Sequence, residues 1–150
     1  MIGNSHDSQL WKALAEDPDS VDDIVEELLR QLAVVQIAFP RFAKEDVVVG
    51  GHLIKKGSVM LAHLPTASRD PRSTPGEAMC PMKESSNHLA FGHGLHRCVG
   101  AELARMELRA AYPALAKRFP NMELAVATED LQYHAKSIVF GLEALPVRLG

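Results

Sequence analysis

The sequence predicts a mainly α-helical protein with small antiparallel β sheets. Two stretches carry apolar residues at helical spacing, one after residue 20 and one after residue 100. Short β-branched runs separated by glycine-containing turns lie between and after them, which is typical of short antiparallel strands. At 150 residues the chain is one domain or part of one, and it is long enough to bury a modest core.

The first strong helix is predicted at about residues 20–33. Ser20 is a candidate N-cap, and Asp22 and Asp23 suit the positive end of the helix dipole. A short helical segment is expected before it, around Gln9–Ala15. The apolar positions of the main helix form one stripe: Val21, Ile24, Val25, Leu28, Leu29 and Leu32.

The middle of the chain, about residues 37–64, is predicted to form short antiparallel strands. Gly50-Gly51 and Lys56-Gly57 are turn signals between its β-branched runs. Residues 65–87 then lack periodicity and are rich in proline, serine, threonine and charge. We expect an irregular loop there, and loops of that length are usually functional or poorly ordered.

The second strong helix is predicted at about residues 100–119. Pro113 lies inside it, where a proline removes a backbone hydrogen bond and costs about 3 kcal/mol, so we expect a kink. Residues 121–150 are predicted to form short closing β segments. The apolar stripe of the helix is Ala104, Leu108, Ala111, Leu115 and Phe119.

Composition limits the partners and the location. A net charge of -3 gives no electrostatic reason to expect nucleic acid. No apolar run approaches the roughly 20 residues that a membrane span needs, and the amino terminus lacks the pattern of a signal peptide. The two cysteines do not form a disulfide framework, so we expect a cytoplasmic protein.

The stretch FGHGLHRCVG places Cys98 among glycines, directly before the second helix. Backbone N–H groups and the positive end of the helix dipole favour a thiolate there, and His96 and Arg97 add positive charge. Gly94 suits a turn with positive φ, and Gly100 would let a flat ligand approach the backbone. From these residues alone, the alternative is a small buried cysteine in a glycine-rich turn, because free cysteine is among the most buried residue types.

A structural zinc site is a second alternative for this stretch. Its ligands would be His93, His96 and Cys98, with Cys80 or His88 as the fourth. The spacing of these residues is not a standard zinc pattern, which counts against the alternative.

The pattern Phe91-x-x-Gly94-x-x-x-Cys98-x-Gly100 resembles the cysteine-ligand signature of the cytochrome P-450 family, in its soluble bacterial branch. The ELLR stretch is similar to the E-x-x-R helix of that family. AFPRFAKEDVVVGGHLIKKGSVMLAHLPTASRDP, PNMELAV and GLEALPVRL resemble its later strands, its S-R-D-P turn and its closing β segments, in the right order. The resemblance implies that residues 1–150 are a single partial domain, the carboxy-terminal, proximal-side portion of the P-450 fold.

This resemblance implies haem b (iron protoporphyrin IX) as the cofactor, with Cys98 as the axial thiolate ligand of the iron. Phe91 would lie against the cysteine and the haem. His96 matches a histidine that contacts a haem propionate, and Arg41 matches a second propionate partner, because a guanidinium suits a carboxylate. The other positions expected at the cofactor are Gly92, Arg97 and Gly100.

Glu27 and Arg30 have two interpretations. Spacing alone makes them an i, i+3 pair on a flank of the helix that contributes about 0.2–0.5 kcal/mol. In the family the pair is structural and is completed by a second arginine from the long loop. No arginine occurs between Arg72 and Arg97 here, and Met79 is near the expected place, so we expect the triad to be incomplete.

Two apolar segments match parts of the family's substrate pocket, although an apolar strand core is an equally open interpretation. A ferredoxin- or flavoprotein-type electron donor is expected near the Cys98 loop, where Arg105 and Arg109 are either donor contacts or solvated helix charges. The candidate pocket residues are Ile37, Ala38, Phe39 and Val139.

The implied function is that of a haem-thiolate monooxygenase, which uses molecular oxygen and inserts one oxygen atom into a small organic substrate. The family's central helix, with the acid–alcohol pair that delivers protons, is expected upstream of this chain. We therefore expect a truncated carboxy-terminal part whose partner could be another chain that supplies the amino-terminal part. The alternative is a non-catalytic haem-binding fragment or a helper protein derived from the family, although helpers that have lost haem typically lose the cysteine.

Overall fold

The computed structural model describes residues 5–72, 88–134 and 136–150. Within these ranges no helix combines the length and the apolarity needed to cross a membrane. The α-helices are α1 (Ser5–Glu16), α2 (Val21–Leu32), α3 (Leu64–Ser68) and α4 (Ala101–Arg118). The antiparallel strand pairs are β1 (Arg41–Phe42) with β4 (Val59–Met60), β2 (Val47–Val49) with β3 (His52–Ile54), and β5 (Glu123–Leu124) with β6 (Val147–Arg148). The predicted fold class, mainly α with small antiparallel sheets, is confirmed.

The core lies between α1, α2 and α4. Trp11 Nε1 donates a hydrogen bond to Phe119 O at 3.0 Å, just past the end of α4. α1 is longer than the predicted segment Gln9–Ala15, because packing on the other helices stabilises it beyond what its local sequence would. The buried core side chains are Leu10, Trp11, Leu14, Val21, Ile24, Val25, Leu28 and Ala116.

Ser20 is not the side-chain cap that the sequence predicts. A 3₁₀ turn at Pro18–Ser20 precedes α2 directly, so the backbone of Ser20 is already helical. The Ser20 hydroxyl donates to Asp17 O at 2.9 Å. Asp17 Oδ1 accepts from the Asp19 N–H at 3.1 Å, so the capping carboxylate lies one turn earlier.

The first four strands form two nested antiparallel pairs, with the β2–β3 hairpin between β1 and β4 in the chain. Gly50 and Gly51 make the hairpin turn with φ values of +56° and +82°, which favour glycine. Phe42 pairs with Val59 in the outer pair. This arrangement places Arg41 at the start of β1.

α4 continues through Pro113 without interruption. Its predicted apolar stripe is only partly covered, since Ala111 and Leu115 are exposed. α4 packs on α1 and α2 through a neighbouring face that carries Leu108, Tyr112 and Ala116. The buried face of α4 is therefore shifted around the helix from the predicted stripe, because the positions of α1 and α2 determine which face is covered.

α3 corrects the prediction of an irregular loop over residues 65–87, because Leu64–Ser68 is helical. His63 Nδ1 accepts a hydrogen bond from the Thr66 N–H at 3.3 Å, and Pro65 lies in the first turn, where a proline is well tolerated. The remainder of that prediction, residues 73–87, lies outside the described residues.

Candidate functional site

Residues 88–100, called the cysteine loop below, bend back so that Phe91 and Cys98 are joined by a backbone hydrogen bond. The Cys98 N–H donates to Phe91 O at 2.8 Å. Gly92 and Gly94 have φ values of +72° and +74°, which residues with a Cβ rarely adopt. The positive φ predicted at Gly94 is confirmed, and Gly92 meets the same requirement.

Cys98 presents a free, exposed thiol directly before α4, so the alternative of a buried cysteine is wrong. Leu95 and Val99, on the same loop, are fully exposed apolar side chains. A Cβ placed on Gly100 would lie 3.9 Å from Cys98 Sγ, so the glycine leaves space beside the sulfur. A soft sulfur donor with open space and apolar neighbours fits a flat, largely apolar group such as haem.

The three candidate cofactor residues with basic side chains have different surroundings. Arg97 Nη2 donates to Glu102 Oε1 at 3.0 Å. Arg41 Nη1 donates to Phe39 O at 3.0 Å and the side chain is exposed. His96 is exposed at the end of a 3₁₀ turn. Carboxylates can reach all three side chains, and their roles at the cofactor stay predictions.

Glu26 of α2 accepts hydrogen bonds from two distant parts of the chain. Arg105 Nε and Nη2 donate to its two oxygens at 2.6 and 2.9 Å, and His88 Nε2 lies 3.0 Å from Oε2. Arg105 Cζ lies 4.8 Å from the centroid of the Phe91 ring. These four residues, called the Glu26 cluster below, join α2, α4 and the cysteine loop, and the sequence analysis did not identify them as a group.

His88 is neutral in this cluster. The Ala90 N–H donates to His88 Nδ1 at 3.2 Å, so the ring proton is on Nε2 and is donated to Glu26. Burial lowers the pKa of His88, although Glu26 opposes this. Burial also acts to raise the pKa of Glu26, but hydrogen bonds from Arg105 and His88 outweigh it and leave that pKa below its ordinary value. The cluster thus contains one carboxylate and one guanidinium.

Arg30 and Glu27 form a buried bidentate pair. Arg30 Nε and Nη2 each donate to a Glu27 oxygen at 2.7 Å, and the Arg30 side chain is only 5% exposed. Arg30 Nη1 donates to Ser68 O at 3.1 Å, which connects α2 to α3. The interpretation of Glu27 and Arg30 as a weak pair on a flank of the helix is therefore wrong. Met79 lies outside the described residues, so the incomplete triad stays a prediction.

The segment around Val139 pairs with residues 34–36, directly before the predicted pocket residues 37–39. Val35 and Val139 form an antiparallel bridge, and the Gln36 N–H donates to Ile138 O at 3.4 Å. Phe39 is 79% exposed, so a strand-core role for it is wrong. The other predicted pocket residues are exposed or half-buried: Ile37, Ala38 and Val139.

The prediction that Arg105 contacts an electron donor is wrong, because Glu26 binds its guanidinium and the Arg105 side chain is only 13% exposed. Arg109 Nε lies 2.8 Å from Asp22 Oδ1, without hydrogen-bond geometry, and the Arg109 side chain is half-exposed. Of the two arginines, Arg109 is the accessible one.

The zinc alternative loses one of its ligands, because His88 is buried against Glu26. Across the described ranges, no group of three or more histidine, cysteine, aspartate and glutamate side chains could hold a metal ion. Cys80 lies outside those ranges.

Comparison with known proteins identifies this arrangement. The family model Cytochrome P-450 matches residues 19–143. The chain is 42% identical over 137 residues to the polyketide biosynthesis cytochrome P-450 PksS of Bacillus subtilis strain 168, covering 91% of this chain and 34% of PksS. It is 40% identical over 145 residues to the cytochrome P-450 monooxygenase PikC of Streptomyces venezuelae, covering 96% of this chain and 35% of PikC.

A solved structure agrees with these matches. The tirandamycin C-bound P-450 monooxygenase TamI superposes with a TM-score of 0.89 at 38% identity, over 97% of this chain and 37% of TamI. The chain therefore spans about a third of the length of the relatives that it matches. From the family model, the identities and the superposition together, the chain belongs to the cytochrome P-450 family.

Proposed function

We propose that the chain is the proximal, cysteine-bearing part of a haem-thiolate monooxygenase that inserts one atom of molecular oxygen into a small organic substrate. The observation that carries this proposal is the free, exposed thiol of Cys98 at the start of α4. Members of the family use haem b, and the loop that presents the thiol has the glycine conformations and the apolar side chains that such a group would need.

The residues that would hold haem lie in two segments. Cys98 would supply the axial thiolate, and His96 and Arg41 would bind haem propionate, since N–H donors of such side chains form strong hydrogen bonds with carboxylates. When bound, the haem supplies oxygen activation, and a thiolate ligand favours O–O cleavage. The residues expected beside the macrocycle are Phe91, Gly92, Arg97 and Gly100.

The apolar side chains around the thiol would keep water away from the sulfur once haem covers them. Leu95 and Val99 are placed to do so on the cysteine loop. The adjacent segments that carry Ile37, Ala38, Phe39 and Val139 would contact the substrate. Their exposure gives them the surface that a ligand would cover.

The remaining part of the catalytic apparatus would come from outside this chain. The chain spans 34% of PksS and 35% of PikC, and we expect the acid–alcohol pair to belong to the rest, in the same polypeptide or in a partner chain. An extensive exposed apolar surface supports this expectation. It includes Phe39, Phe42, Leu61, Leu95, Val99, Leu103 and Met106.

A ferredoxin- or flavoprotein-type donor would deliver the electrons on the side of the cysteine loop. Arg109 is half-exposed, which leaves it accessible to an acidic donor surface. A cytoplasmic location is consistent with the use of such donors and with a free cysteine.

The second candidate function is a non-catalytic haem-binding fragment or a helper protein derived from the family. The observation that favours it is coverage of about a third of each relative. The two candidates differ in one measurable result. A non-catalytic fragment would not insert oxygen into a substrate even when the rest of the catalytic apparatus is supplied.

The test is the absorption spectrum of the reduced, carbon-monoxide-bound chain after haem is added. We expect the red-shifted Soret band of a thiolate ligand in the unmodified chain and in Cys80→Ser, and its loss in Cys98→Ser. A band that persists in Cys98→Ser, or one that is absent from the unmodified chain, contradicts the proposal. Substrate oxidation after addition of the amino-terminal part of a relative then separates the enzyme from the non-catalytic fragment.

A further inference from the structure

The Glu26 cluster connects a helix remote from the thiol to the loop that carries it. Glu26 lies on α2 and receives both Arg105 of α4 and His88 at the start of the cysteine loop. The side chains of His88, Arg105 and Glu26 are 3%, 13% and 14% exposed. A buried bidentate ion pair with a further hydrogen bond has a defined geometry, so each partner is held in one orientation.

Arg105 transmits that orientation to Phe91. Its guanidinium carbon lies 4.8 Å from the centroid of the Phe91 ring, which is within the range of a cation–π contact. The His88 ring contacts the same phenyl group, with centroids 6.3 Å apart and planes inclined by 48°. Two members of the cluster that Glu26 holds therefore contact the Phe91 side chain.

Phe91 in turn holds the backbone of Cys98. Its carbonyl oxygen accepts the Cys98 N–H at 2.8 Å, the hydrogen bond that closes the turn between these two residues of the cysteine loop. A shift of Phe91 would therefore move the residue that carries the thiol. The contacts run without a gap from Glu26 through Arg105 and Phe91 to Cys98.

We propose that Glu26 is a positioning residue for the Cys98 thiol and acts through Arg105 and Phe91. The inference rests on the proposed function for its purpose, the presentation of a thiolate to haem iron, but its geometry is a property of the chain itself. Neither Glu26 nor Arg105 touches the sulfur, and their effect is on where the loop places it.

Hydrogen exchange of the Cys98 amide tests the proposal, because this amide reports the hydrogen bond to Phe91 directly. Glu26→Gln removes the charge that holds Arg105 while keeping the size of the side chain. Arg105→Lys keeps a positive charge but removes the planar guanidinium, which makes the bidentate pair with Glu26 and lies over the Phe91 ring. Asp22→Asn is the matched control, since Asp22 also joins α2 to α4, with Oδ1 2.8 Å from Arg109 Nε, but is exposed and lies outside the Glu26 cluster.

We expect the Cys98 amide to exchange at least about tenfold faster in Glu26→Gln and in Arg105→Lys, and to change less than about twofold in Asp22→Asn. With haem added, the thiolate Soret band should also weaken in the first two variants. Cys98 exchange that changes less than about twofold while the unfolding midpoint falls would overturn the proposal and leave a purely structural role.

The two proposals fail separately. A missing thiolate band in the unmodified chain overturns the proposed function, whereas the exchange rates without haem still decide the role of Glu26. Unchanged exchange rates with a normal thiolate band overturn only the positioning role.

Discussion

Glu26 and Glu27 are neighbours on α2, yet their carboxylates contact different parts of the molecule. Glu27 binds Arg30, three residues further along the same helix, whereas Glu26 binds Arg105, 79 residues away on α4. Both pairs are bidentate and largely buried. The first pair can form as soon as α2 is helical, but the second requires α4 to pack against α2.

The difference separates a structural pair from one that reaches the candidate site. Arg30 donates from its remaining guanidinium nitrogen, Nη1, to Ser68 O, so the Glu27 pair connects α2 to α3. Arg105 instead contacts Phe91 in the cysteine loop. Two identical residues in consecutive positions therefore contribute to different properties, one to the stability of the helix packing and one to the geometry around Cys98.

The largest effect is expected from Arg30→Ala. This change leaves the buried carboxylate of Glu27 without its bidentate partner and Ser68 O without that donor, which should cost about 3–5 kcal/mol in the free energy of unfolding. Urea denaturation measures the loss. Arg148→Ala is the control, because the Arg148–Glu123 pair is exposed and should contribute about 0–1 kcal/mol. A loss below about 1 kcal/mol for Arg30→Ala would contradict a structural role for the pair.

A smaller loss of stability is expected from Glu26→Gln. The neutral amide can still accept a hydrogen bond from His88, but it loses the charge-assisted pair with Arg105, so we expect about 1.5–3 kcal/mol. Combining Glu26→Gln with Arg105→Gln should cost less than the sum of the two single changes, because both remove the same interaction. Additive losses in urea denaturation would show that the two side chains act independently.

The smallest effect is expected in the pH dependence. The folded pKa of Glu26 lies below the ordinary value of 4.5, so its ionisation stabilises the fold above about pH 4.5, and this contribution is lost as the pH falls through the lowered pKa. The free energy of unfolding of Glu26→Gln should therefore fall less steeply below pH 4.5 than that of the unmodified chain. Parallel curves from thermal denaturation across that range would contradict the lowered pKa.

Short-range patterns predicted the elements that depend on nearby residues. Most of the apolar stripe of α2 is buried, with Leu32 exposed at the end of the helix. Gly50 and Gly51 form a hairpin turn, and Gly94 has a positive φ. Each depends on residues within a few positions of one another, so the sequence carries the whole signal. The length of α1 and the buried face of α4 depend on what packs against them, and for this reason both differed from the prediction.

The Glu26 cluster depends on packing between α2 and α4, so a search of local motifs did not find it. One signal was present, since Asp22 and Glu26 are four residues apart on one helix and Arg105 and Arg109 are four apart on another. Acidic and basic faces with the same spacing indicate two helices that can pair, and both ion pairs occur. The same argument from four-residue spacing would also have applied to Glu27, so the spacing alone does not identify Glu26 as the residue that binds Arg105.

Trp11 gives the protein its own optical probe of helix packing. It is the single tryptophan of the chain, and its indole is buried with Nε1 bonded to Phe119 O. Its fluorescence should shift to longer wavelength when α1 separates from α4 and water reaches the indole. Haem absorbs in the range of tryptophan emission, so cofactor binding should quench the same signal by energy transfer, and one emission spectrum would follow folding by wavelength and loading by intensity.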